Sequence, residues 1–253
     1  MIIILSPAKL QDFDTPIVIE KTTKPLYEKE AKTLYKSLEG ATQNEIAQLM
    51  NINPQLASHV YQYIHAFPLN RTPERQAIFA YNGIAYQGLA AKSFDKEDLD
   101  FAQKHLVHIS GLYGVLRPLD LIKPYRLEMQ IPLDNDKGKN LYEFWTETVS
   151  KYLAKEMKAD DNILINLASK EYFKVVDKKL LPKGHMIITP IFKQQTSKGY
   201  KQIVVYAKKA RGMMSRYIIK HQLTDVNHIK AFDTEGYTFS EQLSNDREWV
   251  FVR

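Results

Sequence analysis

A chain of 253 residues, 44% apolar and 25% charged, is long enough for one large core and excludes disordered, collagen-like and coiled-coil classes. The absence of cysteine removes disulfide frameworks, thiol nucleophiles, thiolate zinc sites and iron–sulfur ligation together, and it fits a reducing compartment. The net charge of +6 is unevenly held: residues 178–224 contain no acid, nine lysines and two arginines, whereas the remaining 206 residues carry 24 basic and 29 acidic groups.

Ile2 to Leu5 reads as a short buried strand stopped by Ser6-Pro7. No basic segment precedes it and the apolar run is far too short for a signal peptide or a membrane span, so a cytoplasmic protein without a membrane partner is expected. Apolar spacing of three or four predicts helices over 26–38, 42–50 and 54–66, with Thr42 and Glu45 forming a capping box for the second. Ala77 to Tyr81 is predicted as a strand closed by Asn82-Gly83, and Asp95 as the cap of a helix carrying Leu99, Ala102 and Leu106 on one side. Residues 134–140 form the clearest surface turn, and a helix over 141–157 follows it. Ile163 to Leu167 is a compact buried strand. Met186 to Phe192 and Gln202 to Tyr206 flank 194–199 as a hairpin, in which Pro190 marks an edge or a bulge. A helix over 210–222 and a strand pair, 237–239 and 248–252, close the chain. With no internal repeat, linker or glycine-rich phosphate loop, one mixed α/β (α+β) domain over 1–253 is predicted.

Five clusters interrupt this pattern: Ser6-Pro7-Ala8-Lys9, Ser110-Gly111-Leu112-Tyr113-Gly114-Val115-Leu116-Arg117-Pro118, Pro124-Tyr125-Arg126-Leu127-Glu128, Asn166-Leu167-Ala168-Ser169-Lys170-Glu171-Tyr172 and Lys208-Lys209-Ala210-Arg211-Gly212. On these residues the chain resembles the YaaA family of bacterial peroxide-stress proteins, nearly end to end. That resemblance implies a mixed sheet flanked by helices, a basic cleft containing a helix-hairpin-helix-like element, DNA binding, and a part in limiting iron-dependent oxidative damage. In one place the chain departs from the family. After Ser6-Pro7-Ala8-Lys9 the family usually has Thr then Leu, whereas this chain has Leu10-Gln11 and no counterpart to the threonine hydroxyl.

The residues also suggest where DNA contacts lie. Gly111 and Gly114 permit a sharp turn with unshielded N–H groups, which with the start of a following helix would hold a phosphate; Gly111, Tyr113, Gly114 and Arg117 are therefore candidate DNA contacts. The competing reading is a strand over 106–109 entering a structural turn, and the two residues between the glycines exceed the usual single one of a helix-hairpin-helix. Lys208, Lys209, Arg211 and Arg216 lie where a strand passes into a helix, forming one electropositive spot. Tyr200, Tyr206 and Tyr217 interleave with them, either to stack on a ligand or to fill the core. Backbone contact of this kind makes duplex DNA, read with little sequence preference, the expected partner. A monomer is the default. The plain alternative is a solvated lysine-rich face or a surface for an acidic protein.

A second group sits at strand ends, where α/β proteins place ligand-contacting groups: Ser6, Lys9, Tyr125, Arg126, Asn166, Ser169 and Tyr172. With Lys9 as nucleophile or electrostatic catalyst and Glu128 or Glu171 as acid/base, these residues allow an enzyme acting on a nucleic acid base, nucleotide or other phosphorylated substrate. Structural use competes, since Arg126 and Glu128 can pair internally and Asn166 can satisfy a turn. The seven histidines are scattered. His105 and His108 alone have ligand spacing, and without a defined carboxylate nearby neither a metal site nor a cofactor is expected. Trp145 and Trp249 read as packing.

Overall fold

The β-branched run at the N-terminus becomes an interior strand, β1 (Ile2–Leu5), in a computed structural model that describes residues 1–197 and 199–253. Lys198, in the turn predicted over 194–199, lies outside the described residues. Three helices follow β1: α1 (Glu28–Glu39), α2 (Gln43–Met50) and α3 (Pro54–Ala66). The Thr42–Glu45 capping box forms in both directions, and Asn53 with Pro54 at the first turn starts α3. After the two-residue strand β2 (Arg75–Gln76), the predicted strand over 77–81 is instead one helical turn, α4 (Ala77–Ala80). A short apolar run has no period that separates helix from strand. Docking decides here, because the Ala77 and Ile78 amides donate to the carbonyls of Asp120 and Pro118. Next come α5 (Ile84–Leu89) and α6 (Lys96–His105), the latter capped by Asp95 as predicted, with Asp98 reciprocating.

The chain then makes β3 (Leu106–Ser110), β4 (Gly114–Leu116) and β5 (Leu121–Ile122), which pairs with β2. β3 and β4 are antiparallel, so Gly111–Gly114 is the turn of a β-hairpin and no helix begins after it. α7 (Leu141–Lys158) follows the 134–140 turn, capped by Asn140. Then come β6 (Ile163–Leu167), the single turn α8 (Lys170–Phe173), β7 (Met186–Thr196) and β8 (Gly199–Lys201). The last long helix, α9 (Val204–Lys220), begins six residues before the predicted start, so residues 202–206 are not the second hairpin strand. β9 (Thr238–Ser240) and β10 (Glu248–Val252) close the chain as an antiparallel pair.

The strand order is β4-β3-β1-β6-β7-β10-β9, with β8 on β7. β3, β1, β6, β7 and β10 run parallel, while β4, β8 and β9 are antiparallel, giving the mixed sheet. Every residue of β1 is buried, as a strand covered on both faces requires. α9 crosses β1, β6 and β7, and α7 packs on β1 and β4. Pro190 sits within an interior strand. The Thr189 amide points to β10, so Pro190 turns its missing N–H toward β6, whose pairing with β7 ends at Ile188. One cluster of buried side chains runs through the whole chain, from Met1 to Phe251.

The connection leaving β1 leads to β3 on one side, whereas the connection leaving β6 leads to β7 on the other. The carboxyl ends of β1 and β6 therefore flank a point where the winding reverses, and such points open a crevice at the sheet edge.

Candidate functional site

The loops after β1 and β6 meet at this crevice. The Ser169 amide donates to Ser6 Oγ at 2.8 Å, closing the two strand ends on each other. Asn166 forms a turn of its own: its Oδ1 accepts from the Ala168 amide and its Nδ2 donates to Thr189 Oγ1 on β7. Asn166 is thus a structural residue of the site's floor. Tyr172 is buried on α8, behind Glu171.

The segment 125–128 forms the third wall, and its position depends on Gly111. A Cβ at residue 111 would lie 2.2 Å from the Leu127 carbonyl oxygen, so only glycine lets the two backbones meet. Tyr125 is fixed from three sides, by Gln11 Oε1 on its amide and by Ser110 Oγ and Tyr81 Oη on its hydroxyl at 2.7 and 2.6 Å. Gln11, one of the two residues that depart from the family pattern, thereby has a structural task, while Leu10 is exposed.

At the head of this segment Glu128 Oε1 receives Lys9 Nζ at 2.9 Å and an Arg126 terminal nitrogen at 2.8 Å. The Glu128 side chain is only 7% exposed, whereas Lys9 is 60% exposed. Glu128 Oε2 and Arg126 Nε are both buried without a partner among the described residues. Burial raises the Glu171 carboxyl above its ordinary value and the Glu128 charge adds to that; the Gln130 amide, Lys9 and Lys208 oppose it. Lys9 and Glu128 line the crevice together with Tyr125, Arg126 and Tyr172.

Beneath it lies a layer that the sequence pattern did not reveal: Tyr81, Tyr86, His108 and Ser110. Tyr86 donates to the Ser6 carbonyl and its hydroxyl lies 2.9 Å from His108 Nδ1. Burial holds the His108 imidazole down at about 3 and pushes the Tyr125 phenol up to about 12. His105 ends α6 and bonds the Met1 carbonyl, whereas His108 lies inside β3, so the two never share a ligand face. Trp145 packs in the core and donates to the Gly111 carbonyl; Trp249 is buried against Phe239.

The expected phosphate turn needs correction. Gly111, Tyr113 and Gly114 are buried, and the Leu112 and Tyr113 amides donate to Ser110 Oγ instead of facing solvent. Gly114, at φ +66°, lies against the Trp145 ring. Arg117 binds Asp120 and the Lys24 carbonyl. The hairpin serves the crevice from behind, as the support of Glu128.

The cations of α9 divide into two sets. Lys209 pairs with Glu235, which also takes Arg253, and Arg216 donates to Ser93 Oγ and to the Leu89 and Ala90 carbonyls. Lys208 is exposed without an ion pair among the described residues. Arg211, one turn along the same helix face, is partly buried and its guanidinium has no hydrogen-bond or acidic partner there; burial alone lowers its pKa. All four lie within α9 beyond its first turn and not at its opening residues. Tyr206 is exposed under the Arg253 guanidinium, Tyr200 is exposed, and Tyr217 packs on Phe232 and His221.

Residues 1–243 match the family model described as peroxide stress protein YaaA. The chain belongs to that family. Relatives described as UPF0246 proteins match along their whole length. The one from Colwellia psychrerythraea is 45% identical over 258 residues, covering 100% of this chain and 99% of the relative. That from Teredinibacter turnerae is 46% identical over 256 residues with the same coverage, and that from Burkholderia orbicola is 43% identical over 258 residues, covering 100% and 98%. Membership in the peroxide stress family agrees with a role in the peroxide response. No helix among the described residues is long and apolar enough to cross a membrane.

Proposed function

We propose that the protein binds the phosphate backbone of duplex DNA in the peroxide response, with Lys9 at the crevice and Lys208 and Arg211 on α9 as the contacting cations. The observation that carries this reading is the division of α9. Within a stretch free of acids, Lys208 and Arg211 have no ion pair among the described residues, while Lys209 and Arg216 are committed inside the protein. A partly buried guanidinium without a counter-charge is unfavourable until an anion supplies one, and phosphate is the anion that arginine matches best. Lys178, Lys179, Lys183, Lys193 and Lys201 add charge without ion pairs of their own among the described residues. Contacts to phosphate read no bases, so sequence preference is low. Phosphates neutralised by the protein release condensed counterions, ferrous ions among them, and iron-dependent damage at DNA is limited in that way.

Fluorescence polarisation of a labelled duplex tests the reading. The logarithm of affinity falls linearly with the logarithm of salt concentration, and Lys208→Ala with Arg211→Met flattens the slope by about 2, roughly 0.9 for each lost phosphate contact. Affinity indifferent to salt, or to both substitutions, overturns it.

The Lys9–Glu128 contact at 2.9 Å favours a second reading, an enzyme acting on a nucleic acid base, nucleotide or other phosphorylated substrate. A catalytic base works within ~2.6–3.2 Å of its proton or across one water. Paired with Glu128, Lys9 serves as a charge rather than as a nucleophile. Product release from oligonucleotides or nucleotides, abolished in Glu128→Gln, supports this reading; no product from the wild-type protein removes it.

A further inference from the structure

Thirteen large apolar side chains stand in solvent among the described residues, and five of them fall within 200–206: Tyr200, Ile203, Val204, Val205 and Tyr206. Apolar residues exposed singly need no explanation, whereas a contiguous group marks a contact surface. Tyr206 has an intramolecular use, because the Arg253 guanidinium lies over its ring. Ile203, Val204 and Val205 are exposed by 39%, 65% and 52% at the head of α9, just beyond the edge strand β8. Folding does not account for them there. β-Branched residues are poorer helix formers than lysine or glutamine, and Ile203 takes the N-cap position without the side-chain hydrogen bond that a serine or aspartate gives.

Their placement points to the same ligand as the cations do. Val204, Lys208 and Arg211 are spaced i, i+4 and i+7, so they share one face of α9, which passes from an exposed valine through an exposed lysine to a partly buried arginine. An apolar tip followed by cations fits a ligand that is anionic outside and apolar within. Duplex DNA is one, with its phosphates outside and its stacked bases inside. A second copy of the chain is disfavoured, since a two-fold contact through this head sets one acid-free stretch against another. A lipid surface is entered by long or aromatic side chains that sink about 5–10 Å below the headgroups, deeper than a valine reaches. Short, stiff β-branched side chains suit a wedge between base pairs.

We propose that Ile203, Val204 and Val205 form an apolar wedge that enters duplex DNA between two base pairs and kinks it, while Lys208 and Arg211 hold the neighbouring phosphates. The wedge rests on the backbone reading and adds a preference to it: a step whose bases are already loosely stacked, as at a mismatch, opens more easily and is bound more tightly.

Two measurements on the full chain compare the wild type with Ile203→Ser/Val204→Gln/Val205→Gln, which keeps every charge, supplies an N-cap and retains helix formers. In a short duplex labelled at both ends, the wild type raises energy transfer, because a kink of roughly 20–90° brings the ends together; the variant, bound to saturation, gives no rise. In polarisation competition the wild type prefers a duplex with one central mismatch by at least about fivefold, and the variant brings the two duplexes within about twofold with an unchanged salt slope. No rise in the wild type, an equal rise in the variant, or equal wild-type affinity for both duplexes overturns the wedge. If the triple variant does not fold, Val204→Gln alone takes its place. Salt-dependent duplex binding without bending overturns the wedge alone, whereas no duplex binding at all overturns the backbone reading and the wedge with it. Pelleting with phosphatidylserine vesicles, or a dimer in sedimentation velocity, that is lost in the variant and found in place of the rise in energy transfer assigns the patch to a lipid surface or a second copy and overturns the wedge.

Discussion

Glu128 owes its place to Gly111, because the Leu127 carbonyl occupies the space a side chain at 111 would need. Gly111→Ala is expected to displace the 125–128 segment and to cost about 1–3 kcal/mol in equilibrium urea denaturation, the usual range for an overpacked interior. His108 gives a pH dependence of known sign. Its folded-state pKa is depressed to about 3, so below the ordinary histidine value near 6.5 the unfolded chain takes up a proton that the folded protein refuses. The stability His108 contributes is complete above about pH 6.5. It is lost as pH falls, by up to about 1.4 kcal/mol per unit. Urea titrations between pH 4 and 7 of the wild type and of His108→Gln are expected to show a shallower acid slope in the variant. Glu171 has the opposite sense for an acid: its raised pKa makes its ionised form a liability at neutral pH, so Glu171→Gln raises Tm at pH 7, and the gain disappears below about pH 4 where the unfolded carboxyl is also protonated. At this scale Ser6, Lys9, Arg126, Glu128, Ser169 and Tyr172 were legible, because each follows or faces a strand end. Tyr81, Tyr86, Ser110 and His108 were not, since a buried polar layer leaves no spacing of its own in a sequence.

α5 and α9 touch backbone to backbone: a Cβ at Gly212 would lie 1.7 Å from the Ala85 carbonyl oxygen, and one at Gly88 would lie 2.3 Å from the Lys209 carbonyl oxygen. Because α9 carries Lys208 and Arg211, this seam sets where the free cations stand relative to the crevice. Gly212→Ala forces the helices apart and is expected to cost about 3 kcal/mol or more, with faster hydrogen exchange along α9 as the local readout. The long amphipathic helices and their capping boxes could be read from the sequence, as Thr42–Glu45 and Asp95 illustrate. The short elements could not. Ala77–Ala80 is helical because the Pro118 and Asp120 carbonyls receive it, Gly114–Leu116 and Leu121–Ile122 are strands because they pair with β3 and β2, and the Val204-Val205-Tyr206 run opens α9 despite its strand-like composition. In each case a partner distant in sequence overrides local preference.

Across the whole molecule, strand order converts scattered clusters into one site. The loops after β1 and β6 meet because the winding of the sheet reverses between them, and no local pattern encodes that order. The acid-free stretch was visible in composition, but its charge is not one uniform patch: Lys209, Arg216 and Lys220 are held by Glu235, by the α5 carboxyl end and by Asp98, whereas Lys208 and Arg211 have no ion pair among the described residues. The most direct measurement compares duplex affinity at one moderate salt concentration for two double variants, Lys208→Ala/Arg211→Ala and Lys209→Ala/Arg216→Ala. The first is expected to lose at least about tenfold in affinity with its melting temperature little changed, and the second to stay within about twofold while losing stability. Equal losses of affinity, or a larger loss in the second variant, contradict the proposal that Lys208 and Arg211 are the phosphate-binding cations.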